Sequence, residues 1–437
     1  MGTDIVFYML GLLVVMVMLG IHIGIALGVA SAIGVYLMMG SIDVAMSIIG
    51  STAYEAVRSH VFAVIPLFVL MGDFVGKSGA ATDLYRLCDK ALKRLPGRLA
   101  VATVAGNAVF AAVTGVSIAS AAAFSRVAYP EMIRSGYKRE YALGAVAGSA
   151  CLGMLIPPSV LLIVWAILTE MSVGALFLAG VLPGILLAGL FALYCTIWAK
   201  RHPEIAPAMP VEDSKDLTSS RSELVGGVGI AALIALVIGG IWGGLFTPTE
   251  AAGFGAVGAL VLGVVKGMRG REIMEAIYNA GKTTAPIMFL LITASMYSRL
   301  LALGGTVNVI SEFFQTLGVG APMVILAMLV IWLLLGMLID SVSIILLTVP
   351  IFAPVAMAVG IDPMAFAVFG ILVIEAGLLT PPFGILVYTV KAATPDPAVT
   401  LGMIFKGAVP YWIMILITAL AVVAMPWLAT WLPSVAF

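Results

Sequence analysis

Two short stretches decide the fold, GMLIPPSV at residues 153–160 and GLLTPPFG at residues 377–384. Each places two adjacent prolines in the middle of an apolar run. Proline lacks a backbone donor and clashes with the preceding turn, so each run is predicted to break midway. In lipid, the freed carbonyl groups need an ion, water or protein as a partner. One such break is most simply a kink against a neighbouring helix. Two symmetric breaks favour unwound segments that offer carbonyl oxygens to a cation.

The two stretches belong to an internal repeat with a shift of 224 residues. Matching residues include the pairs Gly153 and Gly377, Pro157 and Pro381, Pro130 and Pro354, and Ser117 and Ser341. Five apolar crossings separate the copies, at 140–168, 173–198, 225–246, 249–265 and 281–303. Because five is odd, the second copy is predicted to be inverted relative to the first. Inverted repeats interrupted by Gly and Pro are typical of secondary transporters with a site near the membrane midplane.

Composition agrees with a chain that lies mostly in lipid. Of the 437 residues, 62% are hydrophobic and only 10% are charged, whereas soluble domains carry about 25% charged residues. The net charge is zero, which leaves no basic footprint for nucleic acid. Three scattered cysteines and three scattered histidines form neither a disulfide framework nor a metal-binding spacing. These features predict an all-α polytopic membrane protein.

Each repeat also contains an apolar stretch with small polar residues at its centre. The stretches 101–130 and 322–355 have flanking segments of about 13 to 18 residues, and the shortest is too short for a full span. They are predicted to be re-entrant helical hairpins, with tips at VTGVSIAS (113–120) and LIDSVSII (338–345). Serine hydroxyls, a carboxylate and freed carbonyls are oxygen ligands, which hard cations prefer. Packing of small residues at a helix contact is the alternative.

Two pseudo-symmetric Na⁺ sites are therefore predicted where a tip meets a break. The first site joins Gly115 and Ser117 to Ile156 and Pro157, and the second joins Asp340 and Ser341 to Thr380 and Pro381. An acidic residue at membrane depth is costly and usually functional, which favours a role for Asp340.

Substrate contacts are predicted for Arg126, Ser120 and Ser343. Arg126 can pair with a carboxylate, although snorkelling to the cytoplasmic face beside Glu131 is the favoured interpretation. Ser120 pairs with Ile344 in the repeat, which favours a packing role. Glu375 lies just before the second break and is expected to bond freed amides or to influence the ion. Glu250 is expected to cap a helix.

The chain divides into alternating units. The segments 101–170 and 322–395 are predicted to form one transport unit, each with a hairpin and a broken helix. The remaining segments are 1–60 (scaffold with an interfacial arm), 61–100 (a span plus an arm helix), 171–280 (scaffold with the loop 200–223), 281–321 (a span plus an interfacial segment) and 396–437 (C-terminal helix). The short basic loops share one face, which is predicted to be cytoplasmic, so both termini are predicted to be periplasmic.

Several motifs resemble the large membrane subunit of TRAP transporters, the DctM-like family. They are IPLFVLMGDFVGKSG (65–79), LPG (95–97), YPEMIRSGY (129–137), GMLIPPS (153–159), GLFTPTEAA (244–252), the ID at 339–340 and GLLTPPFG (377–384). The resemblance covers essentially the whole chain. It implies a bacterial inner-membrane system with a small four-helix membrane subunit and a periplasmic substrate-binding protein. It further implies Na⁺-coupled uptake of an organic acid by an elevator motion, with Na⁺ as coupling ion and no cofactor.

Three other functions are alternatives for such a sequence. A Na⁺-coupled transporter without a binding protein would use the same scaffold. A membrane enzyme is disfavoured, because no HExxH, GxSxG or P-loop motif is present. A channel would more naturally show a filter or a charged ring in a symmetric oligomer.

Overall fold

A computed structural model describes residues 2–207, 221–306, 309 and 320–436. Within these ranges every regular element is a helix and no strand occurs. The predicted all-α architecture is therefore confirmed. Most of the loop 200–223 and the end of the segment 281–321 lie outside the described residues.

The first half of the chain contains the first repeat. Its helices are α1 (Gly2–Met18), α2 (Ile23–Met39), α3 (Ile42–Arg58), α4 (Val64–Lys77), α5 (Ala80–Ala91), α6 (Arg98–Thr114), α7 (Ser117–Arg134), α8 (Arg139–Ala150), α9 (Val160–Thr169) and α10 (Val173–Arg201). A single 3₁₀ turn, Cys151–Met154, follows α8. The backbone between that turn and α9 carries the first Pro-Pro pair, so this helix is broken where the sequence predicted.

The second half repeats part of this order, from the hairpin onward. Its helices are α11 (Arg221–Trp242), α12 (Pro248–Val265), α13 (Gly270–Leu303), α14 (Ala321–Gly336), α15 (Ser341–Ala358), α16 (Pro363–Gly377), α17 (Ile385–Ala393), α18 (Leu401–Ala424) and α19 (Trp427–Ala436). The helices α14 to α18 follow the pattern of α6 to α10: a two-helix hairpin, a broken helix and a long helix. The re-entrant path of the two hairpins stays a prediction from their lengths.

In the described part of the chain, six helices are long and apolar enough to cross a membrane, or seven if one bent pair counts as a single span. That pair is Ile42–Arg58 with Val61–Lys77, which meet at a bend of 57°. In α3 the only buried residues are Ala45 and Ala56, as expected of an amphipathic arm. Glu250 closes a capping box with Thr247 at the start of α12, which confirms its expected role as a cap.

Helix packing separates two groups of elements. In the first group α12 packs on α4, and α13 packs on α2 and α4. A Cβ at Gly255 of α12 would lie 2.6 Å from the sulfur of Met71, which shows how closely α12 and α4 approach. In the second group α18 packs on α8, and α10 packs on α6, α9 and α18.

The long helix α10 is seated directly on the first break. A Cβ at Gly180 would lie 2.5 Å from the carbonyl oxygen of Leu155, and one at Gly184 would lie 2.7 Å from Ile156. Both glycines therefore allow α10 to approach backbone that a side chain would displace. Tyr141 of α8 adds a hydrogen bond to the carbonyl of Cys195 at 2.7 Å. α10 therefore packs on helices of both the hairpin and the broken helix of the first repeat.

A buried aromatic cluster joins the two repeats. The Trp165 ring of α9 meets the Trp332 ring of α14 with centroids 6.1 Å apart, and both contact Phe366 of α16. All three side chains are at most 1% exposed. Gly370 provides the space, because a Cβ there would lie 2.7 Å from Trp165. Edge-to-face and tilted contacts of this kind contribute beyond simple area burial.

Candidate functional site

The centre of the candidate site is a carboxylate shared by both hairpins. Ser117 begins α7 at the first tip, and its hydroxyl donates to Oε2 of Glu375 at 2.5 Å. Ser341 begins α15 at the second tip, and its hydroxyl donates to Oε1 of Glu375 at 3.0 Å. Glu375 is 1% exposed, and both serines are buried. Two residues that the repeat makes equivalent thus meet on one side chain.

The first tip lies directly against the first break. Gly115 has a left-handed backbone with φ of 64°, and a Cβ there would collide with the carbonyl oxygen of Pro158. The amide of Val160 donates to the carbonyl of Gly115 at 3.2 Å, which ties the tip to the second half of the broken helix. Gly153 is equally constrained, because a Cβ would lie 3.0 Å from the backbone of Ser117. Glycine at 115 and 153 is therefore what lets the two backbones meet.

The acidic residue of the second tip caps a helix. Asp340 is the N-cap of α15 and accepts from the Ser343 amide at 3.0 Å and from the Ser343 hydroxyl at 2.5 Å. The Asp340 side chain is exposed, whereas Ser343 is buried. Aspartate is a favoured N-cap because its oxygen satisfies an otherwise free helical amide. The second hairpin contacts α16 instead through Gly336 and Gly377, whose α-carbons approach closely.

The two breaks differ in their surroundings. Pro157 and Pro158 are buried beneath α10, whereas Pro381 and Pro382 are exposed. Thr380 is half-buried, and its hydroxyl donates back to the carbonyl of Ala376 at 2.8 Å. The repeat therefore places a proline pair at both breaks, and only the second pair is exposed at the surface of this chain.

The predicted substrate residues are dispersed. Ser120 is buried one turn after Ser117, and its hydroxyl has no hydrogen-bond partner among the described residues. Arg126 is exposed and lies nine residues along α7 from Ser117, a rise of about 13.5 Å. It lines a surface pocket with Asp89 and Arg98, which pair with each other at 3.2 Å. This location agrees with the snorkelling interpretation of Arg126, away from the tips.

A polar clamp fastens the first hairpin to the loop after the second broken helix. Asp396 accepts from the hydroxyl of Tyr129 at 2.8 Å and from Nε of Arg139 at 2.9 Å. The amide of Ala398 donates to its other oxygen at 2.9 Å. These hydrogen bonds hold the pKa of Asp396 down at about 2, with the Arg139 bond the largest cause. Residues of the two repeats are thus tied at the inferred cytoplasmic end as well as at the tips.

The sequence prediction of the ion sites omitted Glu375, although it noted the residue. The 224-residue shift pairs Glu375 with Cys151, whose Sγ lies 3.7 Å from the Glu375 carbonyl oxygen. An ionisable residue within a continuous apolar helix is the signal that could have placed it at the centre. Within the described ranges, no cluster of three His, Cys, Asp or Glu side chains could hold a metal ion.

The fold defines a class, that of all-helical proteins with several membrane-spanning helices. A solved structure shares this fold. The YdaH transporter of Alcanivorax borkumensis aligns with a TM-score of 0.59 at 16% identity, covering 89% of this chain and 88% of that one. At this identity the similarity shows the fold alone.

The family is shown by sequence. The chain belongs to the DctM component family of tripartite ATP-independent periplasmic transporters, whose model matches residues 10–428. The C4-dicarboxylate TRAP transporter large permease protein of Pseudomonas aeruginosa is 35% identical, over 87% of this chain and 86% of that protein. The ectoine TRAP transporter large permease protein of Halomonas elongata is 29% identical over the full length of both. The sialic acid TRAP transporter large permease protein of Vibrio cholerae is 30% identical over 85% of each. The resemblance to TRAP large subunits is thereby confirmed, and these relatives are transporter permeases, not enzymes.

Proposed function

We propose that this chain is the permease subunit that imports an organic acid across the bacterial inner membrane, driven by Na⁺. The observation that carries the proposal is the contact between the first tip and the first break, where Gly115 meets Pro158. A hairpin tip held against unwound backbone brings hydroxyl and carbonyl oxygens together near the midplane, which is the arrangement expected of a coupled secondary transporter.

The proposed Na⁺ sites keep the residues named from the sequence. At the first site, carbonyls of Gly115, Ile156 and Pro157 and the hydroxyl of Ser117 form the donor set, and hard cations prefer such oxygens. At the second site, Ser341 and backbone oxygens near Thr380 and Pro381 are the principal donors. Asp340 contributes there mainly by holding the start of α15 in place, because both of its oxygens are bonded to Ser343.

The proposed cargo is a small carboxylate. Relatives of similar length are named for C4-dicarboxylates, ectoine and sialic acid, and the 35% identical relative is named for C4-dicarboxylates. A C4-dicarboxylate is therefore the first probe to use. Ser120 supports a ligand role near the tips, because its buried hydroxyl has no bonded partner in the described part of the chain. Ser343 is also buried close to the second tip, whereas Arg126 lies too far along α7 to share that place.

We propose an elevator motion of the hairpin unit. The aromatic cluster around Trp332 fastens 101–170 to 322–395, and the clamp ties 101–170 to Asp396 directly after that segment, which supports their movement as one body. The seating of α10 on Leu155 and Ile156 favours including α10 in that body, together with α18. The helices α1 to α4 and α11 to α13 would then form the static scaffold, with α3 and α5 as interfacial arms.

Two partners complete the proposed system: a small four-helix membrane subunit on the scaffold and a periplasmic substrate-binding protein on the external face. The external turns at Glu170 and Asp362 are only a few residues long, too short to capture a dilute solute. A binding protein closes around its ligand by hinge motion, so release requires that docking favour its open form. Both termini are proposed to lie on the periplasmic side.

Reconstitution distinguishes the proposal from its alternatives. Uptake of a labelled C4-dicarboxylate would be measured in proteoliposomes with both membrane subunits, with and without the binding protein and an inward Na⁺ gradient. The proposal expects uptake only when the binding protein and the inward Na⁺ gradient are both present. Uptake that needs Na⁺ but not the binding protein would identify a transporter that acts alone. Flux insensitive to both would identify a channel and contradict the proposal.

A further inference from the structure

The proposed Na⁺ sites do not include Glu375, although it contacts one residue of each site. Its carboxylate is 1% exposed, and its two oxygens are taken separately by Ser117 at 2.5 Å and Ser341 at 3.0 Å. Ser117 provides the one side-chain hydroxyl in the ligand set proposed for the first site. Ser341 provides the one side-chain hydroxyl that the second tip contributes to the second site. One acidic group therefore contacts a proposed ion ligand from each repeat.

The surroundings of Glu375 leave its charge uncompensated by protein. In the described ranges, no lysine, arginine or histidine forms an ion pair with it. The nearby Cys151 thiol points to the backbone carbonyl of Glu375, and Asp340 is bonded to Ser343. Burying a carboxylate in the membrane interior is expensive unless a positive charge lies close by. Cations bound at the two tips would supply that charge.

The chemistry of serine explains how the carboxylate would act on both ions. A hydroxyl has one donor and two lone pairs, so a serine that donates to Glu375 keeps its lone pairs for a cation. The acceptor fixes the rotation of each hydroxyl and raises its basicity. In other metal sites, loss of a partner that orients a ligand typically lowers affinity 10- to 100-fold.

We propose that Glu375 is a positioning residue shared by both Na⁺ sites, orienting Ser117 and Ser341 together so that neither site binds Na⁺ normally without it. This inference rests on the proposed Na⁺ coupling. It makes the two sites interdependent through a single carboxylate at the interface of the repeats.

The test measures Na⁺ binding without transport. The Na⁺ concentration that gives half of the maximal rise in melting temperature is determined for the purified full chain, with choline replacing Na⁺ at constant ionic strength. For Glu375→Gln, which keeps the size of the side chain, this concentration should rise 10- to 100-fold. Ser117→Ala and Ser341→Ala should each weaken binding less than Glu375→Gln does. If Glu375→Gln does not fold, Glu375→Asp takes its place. Aspartate is too short to reach both serines, so this variant should also raise the Na⁺ concentration needed for the half-maximal rise in melting temperature.

The matched control is Cys151→Ala, which changes the repeat counterpart of Glu375 and removes only a contact to its backbone. That variant should keep the wild-type Na⁺ response within about twofold. A wild-type Na⁺ response in Glu375→Gln would overturn the inference and leave the proposed function standing. A wild-type chain that shows neither a Na⁺-dependent melting shift nor Na⁺-dependent uptake would overturn both. Uptake assays add a second readout, because the Hill coefficient for Na⁺ should fall toward 1 in each serine variant.

Discussion

Cys151 and Glu375 are equivalent positions of the repeat, and they contact each other, with Sγ of Cys151 3.7 Å from the carbonyl oxygen of Glu375. Two symmetry-related residues can touch only where the symmetry axis passes between them. The two-fold axis predicted for the inverted repeat therefore runs beside Glu375. Ser117 and Ser341, also equivalent, lie on either side of this axis, which explains why one carboxylate reaches both.

The first prediction concerns the contact between tip and break. Gly115→Ala should abolish Na⁺-dependent uptake, because its Cβ would collide with the carbonyl of Pro158. The left-handed backbone at φ of 64° adds a cost of about 1 to 2 kcal/mol for any residue with a Cβ. Uptake in proteoliposomes and melting temperature are the measurements.

The matched control is Gly305→Ala, which has a similar φ of 62° but open space around its Cβ. It carries the same backbone cost without the collision, so uptake should persist. If both variants lost uptake equally, the contact with Pro158 would not be the cause.

The second prediction separates the roles of two adjacent residues at the second tip. Asp340→Ala should lower stability by about 1 kcal/mol through loss of the cap, whereas Asp340→Asn should retain it, because asparagine caps helices equally well. Ser341→Ala should raise the Na⁺ concentration for half-maximal uptake more than Asp340→Asn does. Uptake that keeps its full Na⁺ stimulation in the double variant Asp340→Ala and Ser341→Ala would refute the second ion site.

Sequence reasoning located the elements of the site but not the way they join. Paired prolines and a constant shift are enough to place the breaks and tips, because helix breakers act locally. The contact of Glu375 with both tips was not predicted, because the 224-residue shift pairs Glu375 with Cys151. A strictly symmetric repeat would give each ion site its own ligands. Asp340 was assigned to the ion because a carboxylate at depth is costly, and its part in the ion site stays a prediction. Its cap of α15 follows from its position directly before that helix.

The third prediction concerns the clamp at the inferred cytoplasmic end. Because the pKa of Asp396 is lowered to about 2, its stabilising effect is fully present above its ordinary value near 4 and is lost only as pH falls through about 2. Asp396→Asn should therefore lower the melting temperature by the same amount at every pH from 5 to 8. Asp43→Asn, on the exposed arm helix α3, is the control. It loses only the weak interaction of a first-turn carboxylate with the helix N-terminus, so its effect should be smaller than that of Asp396→Asn. If the loss of melting temperature in Asp396→Asn changed across this pH range, the lowered pKa of Asp396 would be contradicted.

The fourth prediction tests the elevator motion where the two groups of helices touch. Gly72 of α4 packs against the backbone of Thr114 at the first tip. A Cβ at residue 72 would lie 3.0 Å from the α-carbon of Thr114. In a chain without the three native cysteines, Gly72→Cys with Thr114→Cys should form a disulfide that stops uptake until it is reduced. Each single variant, treated with the same oxidant, shows the effect of the substitution alone. Unimpaired turnover in a fully cross-linked sample would refute a sliding contact between α4 and the hairpin.

A second cross-link decides on which side of that contact α10 belongs. A Cβ at Gly184 of α10 would lie 2.7 Å from Cγ1 of Ile156 at the first break, so Gly184→Cys with Ile156→Cys, in a chain without the native cysteines, brings two Cβ atoms within disulfide reach. If α10 moves with the hairpins, this link joins parts of one body, and uptake should continue after oxidation. If α10 is static, as its position in the sequence suggests, the link should stop uptake as the Gly72 link does. The two cross-links share one assay and one reducing control, so their opposite outcomes would define the boundary of the moving unit.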